Sequence, residues 1–317
     1  LSLPSMASFV INCKSRKDVI DANNFAKEEG LPLIALGGGT NIIPNNYIDG
    51  VILILDFNAQ KIENETVIAE AGNEWDSIVQ FAVGNHLSGI EALSWIPGRA
   101  GATPVQNIGA YGREISNVIE EVEAYDRESE KFVMLSNKEC QFSYRNSIFK
   151  EYPNKFIIVS MTLKLSKDKP KIPTYKDIEN YFSERGNNNP SLSEIREAII
   201  NVRKSKLPNP EIIPNVGSYF TNPILENEEA LSFKNNFPDL PIFPFEDKSK
   251  IPAAWLIEQA GLKGKKIGKV EIYSKNALIL INPNQANFAE IMEAEKFIQE
   301  KVFQKFGILL QREPVII

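Results

Sequence analysis

Two residue types with strong chemical roles are almost absent from this sequence of 317 residues. It has two cysteines, Cys13 and Cys140, which lie far apart and outside any Cys-x-x-Cys pair. We therefore expect neither a disulfide framework nor a zinc knuckle, and a reducing compartment, the cytoplasm, fits. The only histidine is His86, which excludes a histidine-rich metal centre and makes any Ser-His-Asp triad depend on one residue. No metal site is expected.

Two kinds of sequence block are missing as well. No apolar run approaches the ~18 residues of a transmembrane helix, so we expect no membrane association. Lysine and arginine form no block and the net charge is -6, which argues against a nucleic-acid partner. Hydrophobic residues make up 43% and charged residues 24%, which are ordinary values for a folded protein. The length predicts two or three domains, and we expect a monomer.

Hydrophobic periodicity and turn residues divide the chain into three predicted parts. Residues 1–55 form a β-α-β-β unit, and residues 56–166 add strands and one helix. A polar, proline-broken segment at 167–173 then begins the last part, residues 167–317. Within that part, helices are predicted near 192–204, 251–260 and 286–305, whereas 212–223 is predicted to be irregular.

The first glycine-rich loop follows a predicted strand. It consists of Gly37, Gly38 and Gly39, followed by Thr40 and Asn41. Glycines let the main chain approach an anion and turn its N–H groups toward phosphate oxygens. The spacing fits neither a Rossmann fingerprint nor a P-loop. A plain tight turn is the alternative interpretation.

The second loop covers residues 94–112, with four glycines, two prolines and no hydrophobic period. Irregular segments of this length are usually functional. Its stretch 98–103 suits an anion, and the amides of Gln106 and Asn107 suit the edge of a heterocycle. Two such loops can clamp one pyrophosphate, as in an FAD held by loops; a merely irregular connection is the alternative.

Polar side chains with chemical potential are scattered beyond these loops. Arg145 can hold a carboxylate by two hydrogen bonds or stabilise developing negative charge. Arg203 and Lys206 share one face of a predicted helix. Ser218 follows a glycine, where a hydroxyl can donate a proton, and Glu313 is an isolated carboxylate. Taken singly, each is explained as well by a turn or a solvated surface.

Taken together, eight segments in the same order resemble the UDP-N-acetylenolpyruvoylglucosamine reductase family. The most specific are Gln-Asn-Ile-Gly-Ala-Tyr-Gly and Gly-Ser-Tyr-Phe-Thr-Asn-Pro. The segments are Leu-Gly-Gly-Gly-Thr-Asn (36–41), Ile-Pro-Gly (96–98), Gly-Ala-Thr-Pro-Val-Gln-Asn-Ile-Gly-Ala-Tyr-Gly (101–112), Tyr-Arg-Asn-Ser-Ile-Phe-Lys (144–150), Lys-Leu-Pro-Asn-Pro (206–210), Gly-Ser-Tyr-Phe-Thr-Asn-Pro (217–223), Ala-Trp-Leu-Ile-Glu-Gln-Ala-Gly-Leu-Lys-Gly (254–264) and Asn-Ala-Leu-Ile-Leu-Ile-Asn (276–282).

The resemblance implies an α+β fold with a two-lobed FAD-binding domain of the vanillyl-alcohol-oxidase (PCMH) type and a C-terminal α+β substrate-binding domain. The lobes would be 1–55 and 56–166, and the substrate domain 167–317. It implies tightly bound FAD, NADPH as co-substrate and a UDP-sugar substrate in peptidoglycan precursor synthesis. The implied FAD contacts are Gly37, Gly38, Gly39, Thr40, Asn41, Ile96, Pro97, Gly98, Gly101, Ala102, Thr103, Gln106, Asn107, Gly109, Ala110, Gly112 and Ile158.

The resemblance also implies roles for individual side chains. Arg145 would be the cation near the substrate carboxylate, Ser218 the proton donor to the α-carbon, and Glu313 a group that holds the carboxylate or enol. Hydride would arrive at the β-carbon from the flavin N5. Tyr175 and the Tyr144-Arg145 pair resemble the branch of the family that closes a tyrosine-bearing loop over the substrate. The implied substrate contacts are Tyr144, Tyr175, Arg203, Lys206, Asn222, Lys263 and Asn276.

Three departures from the family pattern and two rival functions accompany this hypothesis. The Asn-Thr-Phe-type opening of the family is absent. Pro314 follows Glu313, where the family often has proline before the glutamate, and Asn276 stands where glutamine is frequent. An FAD oxidase of the same superfamily would share the glycine-rich loops but would not need Arg145, Ser218 and Glu313 together. A non-catalytic UDP-sugar or flavin binder would not need them either.

Overall fold

The computed structural model describes residues 1–317. None of its helices combines the length and the apolar character that a membrane crossing requires. Eight α-helices follow one another along the chain, namely α1 (Arg16–Glu28), α2 (Trp75–Gly84), α3 (Ile148–Glu151), α4 (Lys176–Ser183), α5 (Leu192–Lys206), α6 (Asn227–Asn236), α7 (Ala253–Gln259) and α8 (Phe288–Phe306).

The strands are short on average. They are β1 (Met6–Cys13), β2 (Leu33–Leu36), β3 (Ile42–Ile43), β4 (Tyr47–Leu55), β5 (Gln60–Glu63), β6 (Thr66–Glu70), β7 (Gly109–Ala110), β8 (Arg113–Glu114), β9 (Ile119–Asp126), β10 (Lys131–Ser136), β11 (Phe156–Lys164), β12 (Asn215–Ser218), β13 (Ile224–Leu225), β14 (Phe243–Phe245), β15 (Lys248–Lys250), β16 (Lys266–Ile267), β17 (Val270–Ile272), β18 (Ile279–Ile281) and β19 (Val315–Ile316).

The chain divides into two compact units. The large unit comprises Ala7–Gly39 and Asp49–Ser205, and the small unit comprises Leu1–Met6, Thr40–Ile48 and Lys206–Ile317. These boundaries differ from the predicted ones. Most of both predicted lobes lies in the large unit, but residues 1–6 and 40–48 of the first lobe belong to the small unit. The large unit also contains α4 and most of α5, which the sequence assigned to the last part of the chain.

Packing explains why α4 and α5 belong to the large unit. Ile178 and Phe182 of α4 form a buried cluster with Ile195 and Ile199 of α5, and Ala92 joins this cluster from the region before the second glycine-rich loop. The proline-broken segment at 167–173 is therefore a connection within the large unit. Nothing local in the sequence signals that the chain returns there.

The large unit contains two main sheets, and β7 and β8 form a further two-stranded antiparallel sheet. The first has the order β1-β4-β2, with β2 and β4 parallel, and it belongs to the segment predicted as a β-α-β-β unit. The second has the order β10-β9-β11-β6-β5 and is antiparallel throughout. Its inner face packs on α2, with Trp75, Ile78 and Val79 completely buried. The 94–112 loop leaves this core and returns to it.

The small unit packs its sheets around α7 and α8. One sheet has the order β12-β18-β17-β16 and another the order β13-β15-β14, while β19 pairs in parallel with β3. Helix α8 begins at a capping box formed by Asn287 and Glu290, and ends at Gly307 with φ 71°. The sequence predicted this helix, with Gly307 as its end. The segment 212–223, predicted to be irregular, contains β12, so that prediction was wrong.

Candidate functional site

Two glycine-rich loops of the large unit lie against each other. Gly37 and Gly38 follow β2, and Gly98 and Ala102 belong to the second loop. A Cβ on Gly37 would lie 2.8 Å from the Cβ of Ala102, and a Cβ on Gly38 would lie 2.9 Å from the Cα of Gly98. Both distances are too short for real Cβ atoms, so the close approach of the two main chains requires glycine.

Main-chain donors are available along the first loop. The N–H groups of Gly37, Gly38 and Gly39 donate no hydrogen bond within the protein, and Gly39 has φ 66°. Successive N–H groups around a left-handed residue form an anion-binding concavity. The segment 36–41 contains no acidic side chain. The residues present therefore fit a diphosphate such as that of FAD.

The 94–112 loop holds several residues in the left-handed region. Trp95, Asn107 and Tyr111 have φ values of 57°, 46° and 50°, and Gly98 and Gly112 have 114° and 75°. A left-handed conformation costs a residue with a Cβ about 1–2 kcal/mol. Such strain persists where the surrounding structure imposes it, and it clusters at functional sites.

Asp76 imposes the conformation of Trp95. Its carboxylate accepts a hydrogen bond of 2.6 Å from the Trp95 N–H and a bidentate pair of 2.7 Å bonds from Arg196 of α5. Burial by itself would raise the pKa of Asp76, but the hydrogen bonds from Arg196 and Trp95 outweigh it, and the pKa lies below its usual value. The ion pair thus ties α2, α5 and the loop together.

We expect Asp76→Asn to lower the free energy of unfolding by about 2 kcal/mol at neutral pH, since it removes charge-assisted hydrogen bonds. The estimate is below the cost of breaking a fully buried pair because the Asp76 side chain is 33% exposed. The depressed pKa sets the sign with pH. The carboxylate contributes its full stabilisation at pH values above about 3.8, the ordinary pKa of an aspartate. This stabilisation is lost as the pH falls through the lower pKa of Asp76 in the folded protein.

Urea unfolding of both proteins between pH 3 and pH 7 measures this difference. The control is Asp21→Asn, which removes an exposed i,i+4 pair with Lys17 and should change the free energy by less than about 0.5 kcal/mol. An Asp76→Asn protein as stable as the wild type at pH 7 would show that the ion pair between Asp76 and Arg196 does not stabilise the fold.

Asn107 shapes the second loop through its side chain. It is completely buried, and its Nδ2 donates to the carboxylate of Glu114 at 2.7 Å and to the carbonyl of Ser143 at 3.0 Å. Its Oδ1 accepts from the N–H of Ser116 at 3.0 Å. Both amide N–H groups are used within the protein, so the side chain of Asn107 has no donor left for the edge of a heterocycle. Any hydrogen bond that Asn107 donates to a cofactor must therefore come from its main chain.

The other predicted cofactor positions, those outside the first loop, lie in the second loop, except Ile158, which lies in β11. The hydroxyl of Thr103 donates to the carbonyl of Ala100 at 2.8 Å, so its proton is already used within the protein. Ile158 of β11 is buried, beside a register shift of that strand against β9. The remaining positions in the second loop are Ile96, Pro97, Gly101, Gln106, Gly109 and Ala110.

Arg145 is fixed against the second loop. Its Nη2 donates to the carbonyl of Gly109 at 2.9 Å, and its Nη1 donates to that of Asn107 at 3.4 Å. Its guanidinium carbon lies 5.2 Å from the ring centroid of Tyr144, and its main chain has φ 54°. A Cβ on Gly109 would lie 3.0 Å from Nη1. The structure therefore brings the predicted cation and the predicted cofactor loop together.

Tyrosines and a half-buried arginine lie at the other end of this loop. Tyr175, directly before α4, is 44% exposed, and its ring meets Tyr111 edge-on at 5.5 Å. Burial raises the pKa of Tyr111, which stays a neutral phenol. Burial lowers the pKa of Arg203, whose buried Nε donates no hydrogen bond within the protein. A cleft beside Tyr111 and Tyr175 is lined also by Glu91 and Lys171.

Ser218 is placed in the small unit by a β-bulge. Asn215 lies opposite Ile281 and Ser218 lies opposite Ile279, so β12 has one residue more than β18 between these pairs. Gly217 lies in the bulge with φ 72°. Bulges redirect side chains and are frequent beside active sites. The half-buried hydroxyl of Ser218 has no hydrogen-bond partner within the protein.

The C-terminal segment brings Glu313 to the same place. Its N–H donates to the carbonyl of Tyr219 at 2.9 Å, and two residues later the N–H of Val315 donates to the carbonyl of Asn41 at 3.1 Å. The side chain of Glu313 is mostly buried, with 9% of the residue exposed. Main-chain hydrogen bonds therefore gather Ser218, Glu313 and the Thr40-Asn41 pair in the small unit.

The predicted substrate contacts of the small unit are spread over several elements. The Oδ1 of Asn222 accepts from the N–H of Ala253 at the start of α7. Lys263 forms an exposed ion pair with Glu258 at 3.0 Å. The Oδ1 of Asn276 accepts from the N–H of Leu278, and Lys206 is the last residue of α5.

Sequence reasoning missed two residues that shape the site, Asp76 and Arg196. Asp76 is an ordinary acidic residue in the first turn of a helix, and Arg196 lies 120 residues later. No motif joins them. The cluster of left-handed residues around Trp95 is visible only in three dimensions.

Comparison with known proteins agrees with this geometry. Residues 208–317 match the family model of the UDP-N-acetylenolpyruvoylglucosamine reductase C-terminal domain, and residues 7–134 match an FAD binding domain. A UDP-N-acetylenolpyruvoylglucosamine reductase of Xanthomonas axonopodis pv. citri is 35% identical over 98% of this chain and 91% of its own length. One of Bdellovibrio bacteriovorus is 38% identical over 99% of this chain and 95% of its own length.

Among solved structures, the UDP-N-acetylenolpyruvylglucosamine reductase of Thermus caldophilus superimposes with a TM-score of 0.67 at 20% identity. The match covers 97% of this chain and 91% of that one. This likeness supports the fold. It is an α+β fold with a two-lobed FAD-binding domain of the PCMH type followed by a C-terminal domain.

Proposed function

Because the chain belongs to the UDP-N-acetylenolpyruvoylglucosamine reductase family of FAD-dependent oxidoreductases, we propose that it reduces the enolpyruvyl group of UDP-N-acetylenolpyruvoylglucosamine. The product is the lactyl ether of UDP-N-acetylmuramate, a peptidoglycan precursor, and the electron donor is NADPH. The main-chain hydrogen bond between Glu313 and Tyr219, next to Ser218, carries the proposal. It gathers an acid and a hydroxyl that an FAD oxidase would not need.

The reaction adds a hydride to one carbon of the enolpyruvyl double bond and a proton to the other. When bound, FAD would supply the hydride that is added to the β-carbon, with NADPH as the source of electrons, and the main-chain N–H groups of Gly37, Gly38 and Gly39 would hold its diphosphate. Charge then develops on the substrate carboxylate as an enolate. The protein must supply a cation near that carboxylate and an acid near the α-carbon, because groups that bind the transition state best accelerate the step.

Arg145 is the proposed cation. Its planar fork can bind a carboxylate by two hydrogen bonds. Bonds to the carbonyls of Gly109 and Asn107 orient it, so little reorganisation accompanies the development of charge. The stacking of its guanidinium on Tyr144 restricts it further.

Ser218 is the proposed proton donor, and Glu313 the group that holds the carboxylate or the enol. The hydroxyl of Ser218 lacks a partner within the protein, which leaves its proton available to a substrate atom. Glu313 is mostly buried, where a carboxyl group binds a polar ligand without competition from water. We assign the UDP-sugar to Tyr175, Arg203, Lys206, Asn222, Lys263 and Asn276.

The proposed function is tested by product analysis. The purified protein should be yellow from bound FAD, and should consume NADPH only when UDP-N-acetylenolpyruvoylglucosamine is present. Mass spectrometry should then find one product molecule for each NADPH consumed, heavier than the substrate by one hydride and one proton. NADPH consumption that needs oxygen instead of the UDP-sugar would favour the oxidase alternative.

Replacement of Arg145 by lysine tests the proposed cation. The charge stays but the planar fork is lost, so we expect turnover with saturating substrate to fall by about 10²–10³-fold. Rapid-mixing kinetics should locate the loss in reoxidation of the flavin by substrate. The control is Arg185→Lys, an exposed arginine that also lies over a tyrosine ring, that of Tyr181, at 3.7 Å. A loss confined to the NADPH step would contradict the assignment.

A further inference from the structure

A buried carboxylate lies behind the two segments that carry Ser218 and Glu313. It belongs to Glu295 on α8, which is 7% exposed. Its Oε2 accepts a hydrogen bond of 2.8 Å from the hydroxyl of Tyr219 and lies 3.6 Å from Nη1 of Arg312. Tyr219 directly follows Ser218, and Arg312 directly precedes Glu313. One oxygen atom of Glu295 thus contacts both the residue next to Ser218 and the residue next to Glu313.

The main chain pairs the segment of Ser218 with the segment of Glu313. Phe220 and Arg312 form an antiparallel bridge, flanked by the bond from Glu313 to Tyr219 and by one of 2.9 Å from the N–H of Thr221 to the carbonyl of Gln311. This pairing places Phe220 opposite Arg312 and Tyr219 opposite Glu313. Because Glu295 contacts one side chain from each paired segment, it holds both segments against α8 and so limits how Ser218 and Glu313 can move relative to each other.

The chemistry of Glu295 makes this anchor specific. A buried carboxylate is costly unless hydrogen bonds and an opposite charge compensate it. Here Tyr219, completely buried, donates one bond, and Gln299 donates to the other oxygen at 3.5 Å. Gln299 also donates to the carbonyl of Leu310 at 2.9 Å. This bond is a second contact between α8 and the C-terminal segment, in addition to that of Glu295 with Arg312. Apolar side chains would fill this volume, but they would not fix the register of two segments.

The tyrosine keeps its proton in this arrangement. Burial, followed by the nearby Glu295 carboxylate, raises the pKa of Tyr219 far above its usual value. The phenol therefore remains a hydrogen-bond donor to Glu295 at neutral pH.

We infer that Glu295 is a positioning residue, which holds the Ser218 and Glu313 segments in the register that proton transfer to the substrate requires. The inference rests on the proposed function of those two residues. Glu295 itself is buried behind them and acts through Tyr219 and Arg312. A displacement on the order of 1 Å in a reacting group can slow a reaction by about 10²-fold, so loosening this clamp should slow catalysis without changing any group that touches the substrate.

Glu295→Gln in the FAD-loaded protein tests the inference, since it keeps the size of the side chain but removes its charge. We expect reoxidation of the flavin by saturating substrate to slow by about 10-fold to 100-fold, with reduction by NADPH and the concentration of substrate at half-maximal rate each within about threefold of wild type. The matched control is Glu293→Gln, an exposed glutamate of the same helix, which should behave as wild type.

Tyr219→Phe is the second variant, for the case that Glu295→Gln does not fold. It removes only the phenol hydroxyl and should slow the same half-reaction by a smaller factor. Combining it with Ser218→Ala separates positioning from a merely structural effect. If Tyr219 acts through Ser218, the double variant should be no slower than Ser218→Ala alone.

Three outcomes overturn the inference. In the first, the variants lose thermal stability but their reoxidation stays at the wild-type rate. In the second, both half-reactions slow by equal factors, which shows general loosening. In the third, Ser218→Ala is itself harmless, and the proposed role of Ser218 then fails together with the clamp. A slow Ser218→Ala with a fast Glu295→Gln would reject the clamp alone and leave the proposed function standing.

Discussion

Ser218→Ala should slow reoxidation of the flavin by the UDP-sugar by about 10²–10⁴-fold, the usual contribution of a positioned proton donor. Hydride delivery to the β-carbon is complete only when the α-carbon receives a proton, so loss of the donor raises the barrier of that step. Reduction of the flavin by NADPH needs no proton from Ser218 and should stay within about twofold of wild type. Flavin content and thermal stability should also be unchanged, because the hydroxyl has no partner within the protein.

Anaerobic rapid mixing measures the two half-reactions separately. Ser232→Ala, which removes an exposed hydroxyl in α6 of the same unit, is the control and should match the wild type in both. Product analysis strengthens the result, since residual turnover should still yield the lactyl ether. A Ser218→Ala protein that reoxidises at the wild-type rate would remove Ser218 from the mechanism.

Gly38→Ala should yield a folded protein that has lost its FAD. The new Cβ would lie 2.9 Å from the Cα of Gly98, and main chain cannot yield as the end of a flexible side chain does. The two glycine-rich loops must therefore separate, which removes the main-chain donors proposed to hold the diphosphate. We expect less than about one tenth of the wild-type flavin content, since phosphate contacts dominate the hold of such loops on the cofactor.

The control for this variant is Gly30→Ala. Gly30 also has a left-handed φ, 68°, but nothing lies within 4 Å of its Cβ position. That substitution should cost about 1–2 kcal/mol in backbone strain and leave the visible flavin spectrum unchanged. Circular dichroism of both variants shows that the chain is folded. A yellow Gly38→Ala protein with full flavin content would refute the assignment of the first loop to the cofactor.

Local features of this fold were predictable from the sequence. The apolar periodicity of α8 is a short-range signal, and the structure has this helix, Phe288–Phe306, within about two residues of the predicted range 286–305. The two glycine-rich loops stood out by composition alone. Roles for Arg145, Ser218 and Glu313 came only from the family resemblance, since each is a common residue in an ordinary context.

Long-range features were not predictable. Asp76 meets Arg196 across 120 residues, and Tyr219 meets Glu295 across 76. Periodicity describes which face of an element is buried and does not say against what. The small unit is built from three separate stretches of chain, so no boundary drawn at a single position could describe it. β12 escaped prediction because four residues with a glycine in a bulge carry no strand pattern.

The central claim is that this flavoprotein passes electrons from NADPH to an enolpyruvyl UDP-sugar. Anaerobic stopped-flow tests it most directly: the flavin is reduced with NADPH, then mixed with UDP-N-acetylenolpyruvoylglucosamine, and its visible absorption is followed. The proposed function predicts rapid return of the oxidised spectrum without oxygen, at a rate that rises to a plateau with substrate concentration. A flavin that NADPH reduces but the UDP-sugar leaves reduced would contradict the claim.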